Sequence, residues 1–215
     1  MPTISKTRLL ASALVTVLLT VASARPTDAE NYNNLGLIEP TWTVPAFPGA
    51  VPITLNGTAE QVHAKLLELN PHYDEDFPDT EAEAEADSAT YTGLESDSSL
   101  DRRRVEHDVT CDPEGRAGHR HVKSGISYLR KLAKENKIQP RLPPMRCARV
   151  SCSYRTGIFW CNDDETNEKV LPSWNNIADG AQVITDFCHD SFYFGGELNH
   201  NDKWRVILKR STHNC

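Results

Sequence analysis

The residues of this chain that could do chemistry are concentrated in its C-terminal half. Two histidine groups lie there, His119-Arg120-His121 and His189-Asp190. All the cysteines accompany them: Cys111, Cys147, Cys152, Cys161, Cys188 and Cys215. Thiolates and imidazoles could ligate a metal, whereas an even cysteine count in an oxidising compartment indicates disulfides. Because a metal site needs three or four converging ligands, we assign the cysteines to disulfides and expect neither a metal nor a cofactor.

Acid–base catalysis is the other chemistry to consider, and a small secreted ribonuclease is the best enzyme alternative. Such an enzyme needs a general base, a second histidine and an arginine for the phosphate, all on one sheet face. Glu106, Arg149 and Arg205 could be combined only by free choice, and Glu106 and His107 alternate across their strand. The motifs of the small guanyl-specific ribonucleases are absent from the sequence. We therefore predict no enzymatic activity and no nucleic-acid partner.

The N-terminus has the pattern of a secretory signal peptide. Lys6 and Arg8 precede an apolar run over residues 9–21, and Ala22-Ser23-Ala24 supplies small residues for cleavage after Ala24. A membrane anchor is the alternative, but the run is shorter than the ~20 residues that a spanning helix needs. We predict a signal peptide over residues 1–24 and a secreted, extracellular protein.

The chain carries a net charge of −7, which is divided unequally along it. Residues 1–104 are strongly acidic and residues 105–215 are slightly basic. Eleven acidic residues and no basic one between positions 74 and 101 predict a disordered stretch. Arg102-Arg103-Arg104 follows at once and resembles a kexin-type processing site cut after Arg104, although a chance basic cluster is the alternative. We expect an acidic pro-region over residues 25–104 and a mature domain over residues 105–215.

The pro-region nevertheless contains a structured element. Thr58-Ala59-Glu60-Gln61 is a capping-box pattern, and apolar residues then recur at helical spacing. This predicts a short helix near residues 58–69. Asn56-Gly57-Thr58 is a glycosylation sequon, with Asn56 as the acceptor.

Apolar periodicity in residues 105–215 predicts the order β-α-β-β-α-β. Strands are expected at residues 105–111, 147–154, 158–161 and 204–208, with helices near 119–137 and 173–188. This order is that of an α+β, ferredoxin-like split βαβ sandwich, in which a four-stranded antiparallel sheet carries both helices on one face. Disulfides would stabilise a core of this modest size.

The predicted fold suggests how the cysteines pair. With Thr156-Gly157 as the hairpin turn, Cys152 faces Cys161 across two strands and could bridge to it. Cys111 and Cys188 end a strand and a helix at one pole, whereas Cys147 and Cys215 remain at the other. We therefore expect Cys152–Cys161, Cys111–Cys188 and Cys147–Cys215, out of fifteen possible connectivities.

Two groups of residues could contact a target. Phe192, Tyr193 and Phe194 are adjacent aromatics before Gly195-Gly196, and they could equally pack over a sheet edge. The predicted helix near residues 119–137 carries basic residues, among them Lys131 and Lys134. They could bind an anionic surface, or they could simply form the solvated face of this helix.

Several short motifs resemble a known group of proteins. They are Cys147-Ala148-Arg149-Val150-Ser151-Cys152-Ser153-Tyr154, Trp160-Cys161-Asn162-Asp163, Ile177-Ala178-Asp179-Gly180-Ala181, Cys188, Gly195-Gly196, Trp204 and Cys215. This pattern resembles fungal small secreted cysteine-rich proteins, namely the Ecp2-type (Hce2) effectors and, more distantly, the KP4-type killer toxins. The resemblance implies an α/β sandwich that acts on another organism, and it implies no catalytic residues.

These observations lead to three functional hypotheses. The first is a host-directed effector that binds an extracellular target and is matured by a kexin-type protease. The second is a killer-toxin-like antimicrobial that acts on competitors' membranes or channels. The third is the small ribonuclease.

Overall fold

The computed structural model describes residues 35–78, 109–112, 114–136, 138–189, 191–212 and 215. The predicted signal peptide, the acidic segment beyond residue 78 and the Arg103-Arg104 site lie outside these residues. In chain order, the elements are β1 (Gly36–Ile38), β2 (Thr41–Val44), β3 (Ile53–Asn56), α1 (Ala59–Leu69), α2 (Tyr73–Asp76), β4 (Val109–Cys111), β5 (Ala117–Gly118), α3 (His119–Glu135), β6 (Arg141–Leu142), β7 (Arg146–Ser153), β8 (Thr156–Asn162), β9 (Lys169–Val170), α4 (Asn175–Cys188), β10 (Tyr193–Phe194), β11 (Gly196–His200) and β12 (Trp204–Arg210).

The central sheet has six strands in the order β1-β7-β8-β12-β11-β4. β1 runs parallel to β7, and the other neighbouring pairs are antiparallel. The predicted α+β class is confirmed, but the four-strand, split βαβ arrangement is not. Residues 196–200, expected to be part of a loop, form β11 and separate the first predicted strand, β4, from β12. A further strand, β1, comes from the predicted pro-region.

Helices α1, α3 and α4 cover one face of the sheet. Their apolar side chains share one buried cluster with Val150, Trp160 and Val206 of the strands. Gly125 lets α3 approach β7 closely, because a Cβ at this position would lie 2.3 Å from Ser151 Oγ. The opposite face has a smaller buried cluster, composed of Leu35, Cys147, Phe159, Cys161 and Ile207. None of the helices in the described part of the chain is long and apolar enough to cross a membrane.

Residues 35–78, assigned above to the pro-region, share the main core with the cysteine-rich part. Trp42 is fully buried and stacks on Trp174, with ring centroids 3.9 Å apart. Val62 and Leu66 of α1 belong to the same buried cluster. The helix predicted near residues 58–69 is confirmed as α1, and the Thr58 N–H donates to Gln61 Oε1 at 2.9 Å as the capping-box pattern requires.

Polar contacts seal the boundary between these two parts. Glu60 in the first turn of α1 accepts hydrogen bonds from Ser151 Oγ at 2.5 Å and from the Cys152 N–H at 3.0 Å. Asp74 contacts Lys131 Nζ at 2.6 Å. A charged group at a buried boundary is tolerated only when it is hydrogen-bonded or paired. The Glu60 and Asp74 contacts therefore fix the orientation of residues 35–78 as well as stabilise their packing.

The β7–β8 hairpin corrects two of the three predicted disulfides. Its turn is Tyr154-Arg155, not Thr156-Gly157, and both turn residues have positive φ (48° and 63°), as a type I′ turn requires. Cys152 therefore lies opposite Gly157, and an irregularity near Val150 brings Cys147 opposite Cys161. The prediction misplaced the turn because glycine is the usual residue at positive φ.

The disulfides follow from this register. Cys147 bonds to Cys161, and Cys152 bonds to Cys215, so the predicted Cys152–Cys161 and Cys147–Cys215 pairs are wrong. Cys147 and Cys161 are directly opposed, with Cα atoms 4.0 Å apart. The predicted Cys111–Cys188 pair is confirmed.

Candidate binding surface

The three adjacent aromatics predicted as a target contact divide into an exposed pair and a core residue. Phe192 is 89% exposed and Tyr193 is 66% exposed, whereas Phe194 is buried in the main core. β10 pairs with β5, so that Tyr193 lies opposite Gly118 and Phe194 opposite Ala117. The His119 N–H also donates to the Phe192 carbonyl at 3.1 Å. A buried neighbour and backbone hydrogen bonds thus hold the two exposed rings at the start of α3.

A cleft of about 720 Å³ opens beside this pair. Its lining among the described residues defines what we call the Arg/Tyr cleft: Arg116, His121, Tyr154, Thr156, Tyr193 and Arg210. Backbone hydrogen bonds hold the segments that form the cleft next to each other. The Arg210 N–H donates to the Gly115 carbonyl at 2.5 Å. Gly118 N–H donates to Thr156 Oγ1 at 3.0 Å. The β8–β12 end, the chain before α3 and the β7–β8 turn therefore meet at one end of the sheet.

Tyr154 is the most prominent side chain of the cleft. It is 83% exposed, and its ring stacks on the His121 imidazole with centroids 4.5 Å apart. Tyr154 also lines a second groove, of about 710 Å³, together with Arg155, Tyr128 and the Cys215 end of the chain. The ring consequently forms a ridge between two concave surfaces.

Lys131 and Lys134, the two lysines predicted as target contacts, differ in exposure. Lys131 is buried, and its Nζ contacts the Asp74 carboxylate, so it is not part of an exposed contact. Lys134 is exposed on α3. The prediction for Lys131 missed this ion pair because its partner lies 57 residues away in sequence.

The histidines form ring stacks. His119 stacks on His189 with centroids 3.7 Å apart. Burial, followed by the positive charge that His189 and Lys123 can carry, lowers the pKa of His119 below its ordinary value. In the described ranges, no group of three or more His, Cys, Asp or Glu residues could hold a metal ion.

The two arginines considered for ribonuclease chemistry each bind another side chain of the protein. Arg205 is bound by Asp163 at 3.0 Å, and Arg149 Nη1 donates to Ser211 Oγ at 2.8 Å. Burial raises the pKa of Asp163, although the Arg205 charge opposes this effect. Glu106 and His107 lie outside the described residues.

Asn56, the predicted glycosylation acceptor, is exposed at the end of β3. Its Oδ1 accepts a hydrogen bond from Thr41 Oγ1 at 3.0 Å. The position is thus accessible to a glycan, which would project from the edge of the β2–β3 hairpin.

Sequence reasoning missed Arg116, His121, Tyr154 and Arg210 as a group. They are separated by up to 94 positions, and only the hairpin turn and the β8–β12 pairing join them. One local signal was present: Tyr154-Arg155 are two residues between two strand-like runs, but Tyr-Arg is not a residue pair that predicts a tight turn.

Comparison of the chain with protein-family models, with curated proteins and with solved structures gives no match.

Proposed function

We propose that the protein is a secreted effector-like protein that acts by binding an extracellular target of another organism. The observation that carries this proposal is the cluster of exposed aromatics Tyr154, Phe192 and Tyr193 at one end of a disulfide-linked sheet. Exposed aromatic side chains on a rigid support are typical binding anchors, because little entropy is lost when they bind. The signal-peptide pattern and the resemblance to Ecp2-type effectors support the same function.

We further propose that kexin-type cleavage after Arg104 yields two chains that stay together. Residues 35–78 supply β1, Trp42 and α1 to the shared core, and the Glu60 and Asp74 contacts cross the boundary. Removal of this segment would expose the apolar surface that Trp42 and α1 cover, including Trp174. The N-terminal chain is then a structural subunit of the mature protein.

The experiment applies the purified secreted protein in parallel to plant tissue and to competing microbes. The variant Phe192→Ser/Tyr193→Ser removes the exposed pair, and Phe47→Ser/Val51→Ser removes two exposed apolar side chains elsewhere as a control. Circular dichroism and disulfide mapping establish that both variants are folded. We expect a tissue response that the first variant loses and the control retains.

The other outcomes are equally informative. A response of the microbes alone favours the killer-toxin-like alternative over the effector. Full activity of the Phe192→Ser/Tyr193→Ser variant removes the exposed pair as the contact. No response of either organism contradicts the proposed function.

A further inference from the structure

The Arg/Tyr cleft combines two cationic groups with two exposed rings. Arg116 and Arg210 are both exposed, and neither forms an ion pair with a residue in the described part of the chain. None of the described residues lining the cleft is acidic. Guanidinium groups form bidentate hydrogen bonds to carboxylate, sulfate and phosphate, so the cleft has the charge to select an anion.

The two tyrosines supply flat apolar surfaces in the same cleft. Tyr154 is held in place by the His121 ring, and Tyr193 by the β10–β5 pairing. A tyrosine face packs against planar or pseudo-planar ring surfaces, such as the C–H face of a sugar, while its hydroxyl remains available for hydrogen bonds. The cleft volume of about 720 Å³ lies within the ordinary range of small-ligand sites.

Backbone strain marks the same place. Five non-glycine residues in the described ranges have positive φ, and three of them, Arg116, Tyr154 and Arg155, lie at or beside the cleft. The left-handed conformation is sterically unfavourable for a non-glycine residue, and Asn-Gly is the low-strain choice for a type I′ turn. The backbone of a Tyr-Arg turn is therefore less favourable than that of an Asn-Gly turn. Such strain is typical of sites where the side chains serve binding.

We infer that the Arg/Tyr cleft binds an acidic oligosaccharide. Its carboxylates would pair with Arg116 and Arg210, and its sugar rings would pack on Tyr154 and Tyr193. This inference rests on the proposed function, because it names the class of target that the binding surface recognises. The cleft is concave, and its described lining holds two arginines, which suits a short anionic glycan better than a flat bilayer or a long polyanion.

The test measures binding to the full secreted protein by isothermal titration calorimetry. The probes are polygalacturonate fragments, neutral oligosaccharides of similar length, polyglutamate and phosphatidylserine vesicles. We expect the galacturonate fragments to bind, with an affinity that falls as salt is raised. Arg116→Gln/Arg210→Gln should weaken this binding at least about tenfold, since each lost charged hydrogen bond has an effect of that order. Arg141→Gln/Arg146→Gln, which removes two exposed guanidinium groups elsewhere, should change it less than about twofold.

A second variant separates binding from folding. Tyr154→Asn/Arg155→Gly installs the favoured turn, so we expect a higher melting temperature together with weaker galacturonate binding. A purely structural role of Tyr154 predicts that binding is retained when the melting temperature rises.

Several results would overturn the inference. They are equal binding of neutral and acidic oligosaccharides, unchanged binding by Arg116→Gln/Arg210→Gln, or binding of polyglutamate or vesicles alone. A tissue response that needs Phe192 and Tyr193 without galacturonate binding leaves the proposed function and removes the inference. Galacturonate binding without any response of tissue or microbes removes the proposed function and leaves the cleft as an oligosaccharide site.

Discussion

Trp42 and Trp174 stack almost face to face, with ring centroids 3.9 Å apart and planes inclined by 18°. They lie on opposite sides of the predicted Arg104 cleavage site, 132 positions apart. The edge of Trp160 meets Trp174 from the sheet, with centroids 6.2 Å apart. This aromatic group joins the two parts of the chain in one core, so the N-terminal segment contributes to the stability of the fold.

Trp42→Ala should lower the free energy of unfolding by about 3–5 kcal/mol, because it removes a fully buried indole and leaves a cavity against Trp174. Urea denaturation followed by circular dichroism measures this loss. Phe47→Ala, at an exposed position in the same segment, should change the free energy by less than about 0.5 kcal/mol. If the two substitutions lowered the free energy of unfolding by similar amounts, Trp42 would not be packed in the core as described.

Cleavage by a kexin-type protease should leave the two chains associated. No cysteine precedes Cys111, so only non-covalent contacts can hold residues 35–78 in place. We expect the fragments to co-elute in size-exclusion chromatography and to separate on a non-reducing denaturing gel. Introducing Trp42→Ala should speed their separation. Independent elution of the cut, unmutated fragments would show that the N-terminal segment is released.

Acid should weaken the contact between α2 and α3. Burial raises the pKa of Asp74, but hydrogen bonds from Lys131 and His63 outweigh it and bring the pKa below the ordinary value of 3.8. A carboxylate with a lowered folded pKa stabilises the fold above the unfolded pKa, and this stabilisation is lost as the pH falls through the folded pKa. Asp74→Asn should therefore cost about 1 kcal/mol at neutral pH, since the Asp74 side chain is half exposed, and less below pH 3.8.

Urea denaturation of the wild type and Asp74→Asn at several pH values measures this difference. Glu75→Gln is the control, because Glu75 is exposed and its only partner in the described residues is the exposed His72. A difference between wild type and Asp74→Asn that stays constant into acid would exclude the ion pair as its cause.

The disulfides should be reduced in an order set by access. Cys147 and Cys161 are fully buried, whereas Cys215 is exposed. Reductant must reach a sulfur to attack it, so Cys152–Cys215 should open before Cys147–Cys161. Brief reduction, alkylation and peptide mapping would establish both the order and the pairing. Recovery of a peptide pair joining Cys152 to Cys161 would disprove the observed hairpin register.

Local patterns predicted several elements of this protein. The capping box and apolar spacing located α1, and helical periodicity located α3 and α4. These signals are local because caps and amphipathic faces are formed by residues within a few positions of one another. The pairing of Cys111 with Cys188 was also predicted, since both residues end elements at the same pole.

The sequence by itself determined helices α1, α3 and α4 and the assignment of the cysteines to disulfides. It did not determine which of the three adjacent aromatics are exposed, because burial of Phe194 depends on the fold. Only the tertiary structure decided the strand order, two of the disulfide pairs, the burial of Lys131 and the assembly of the Arg/Tyr cleft. Each of these depends on contacts between distant segments, and one turn shifted by two residues changes which side chains face each other across a sheet. The stacking of Trp42 on Trp174 was likewise decided by the tertiary structure, because a contact between side chains 132 positions apart leaves no periodic pattern in the sequence.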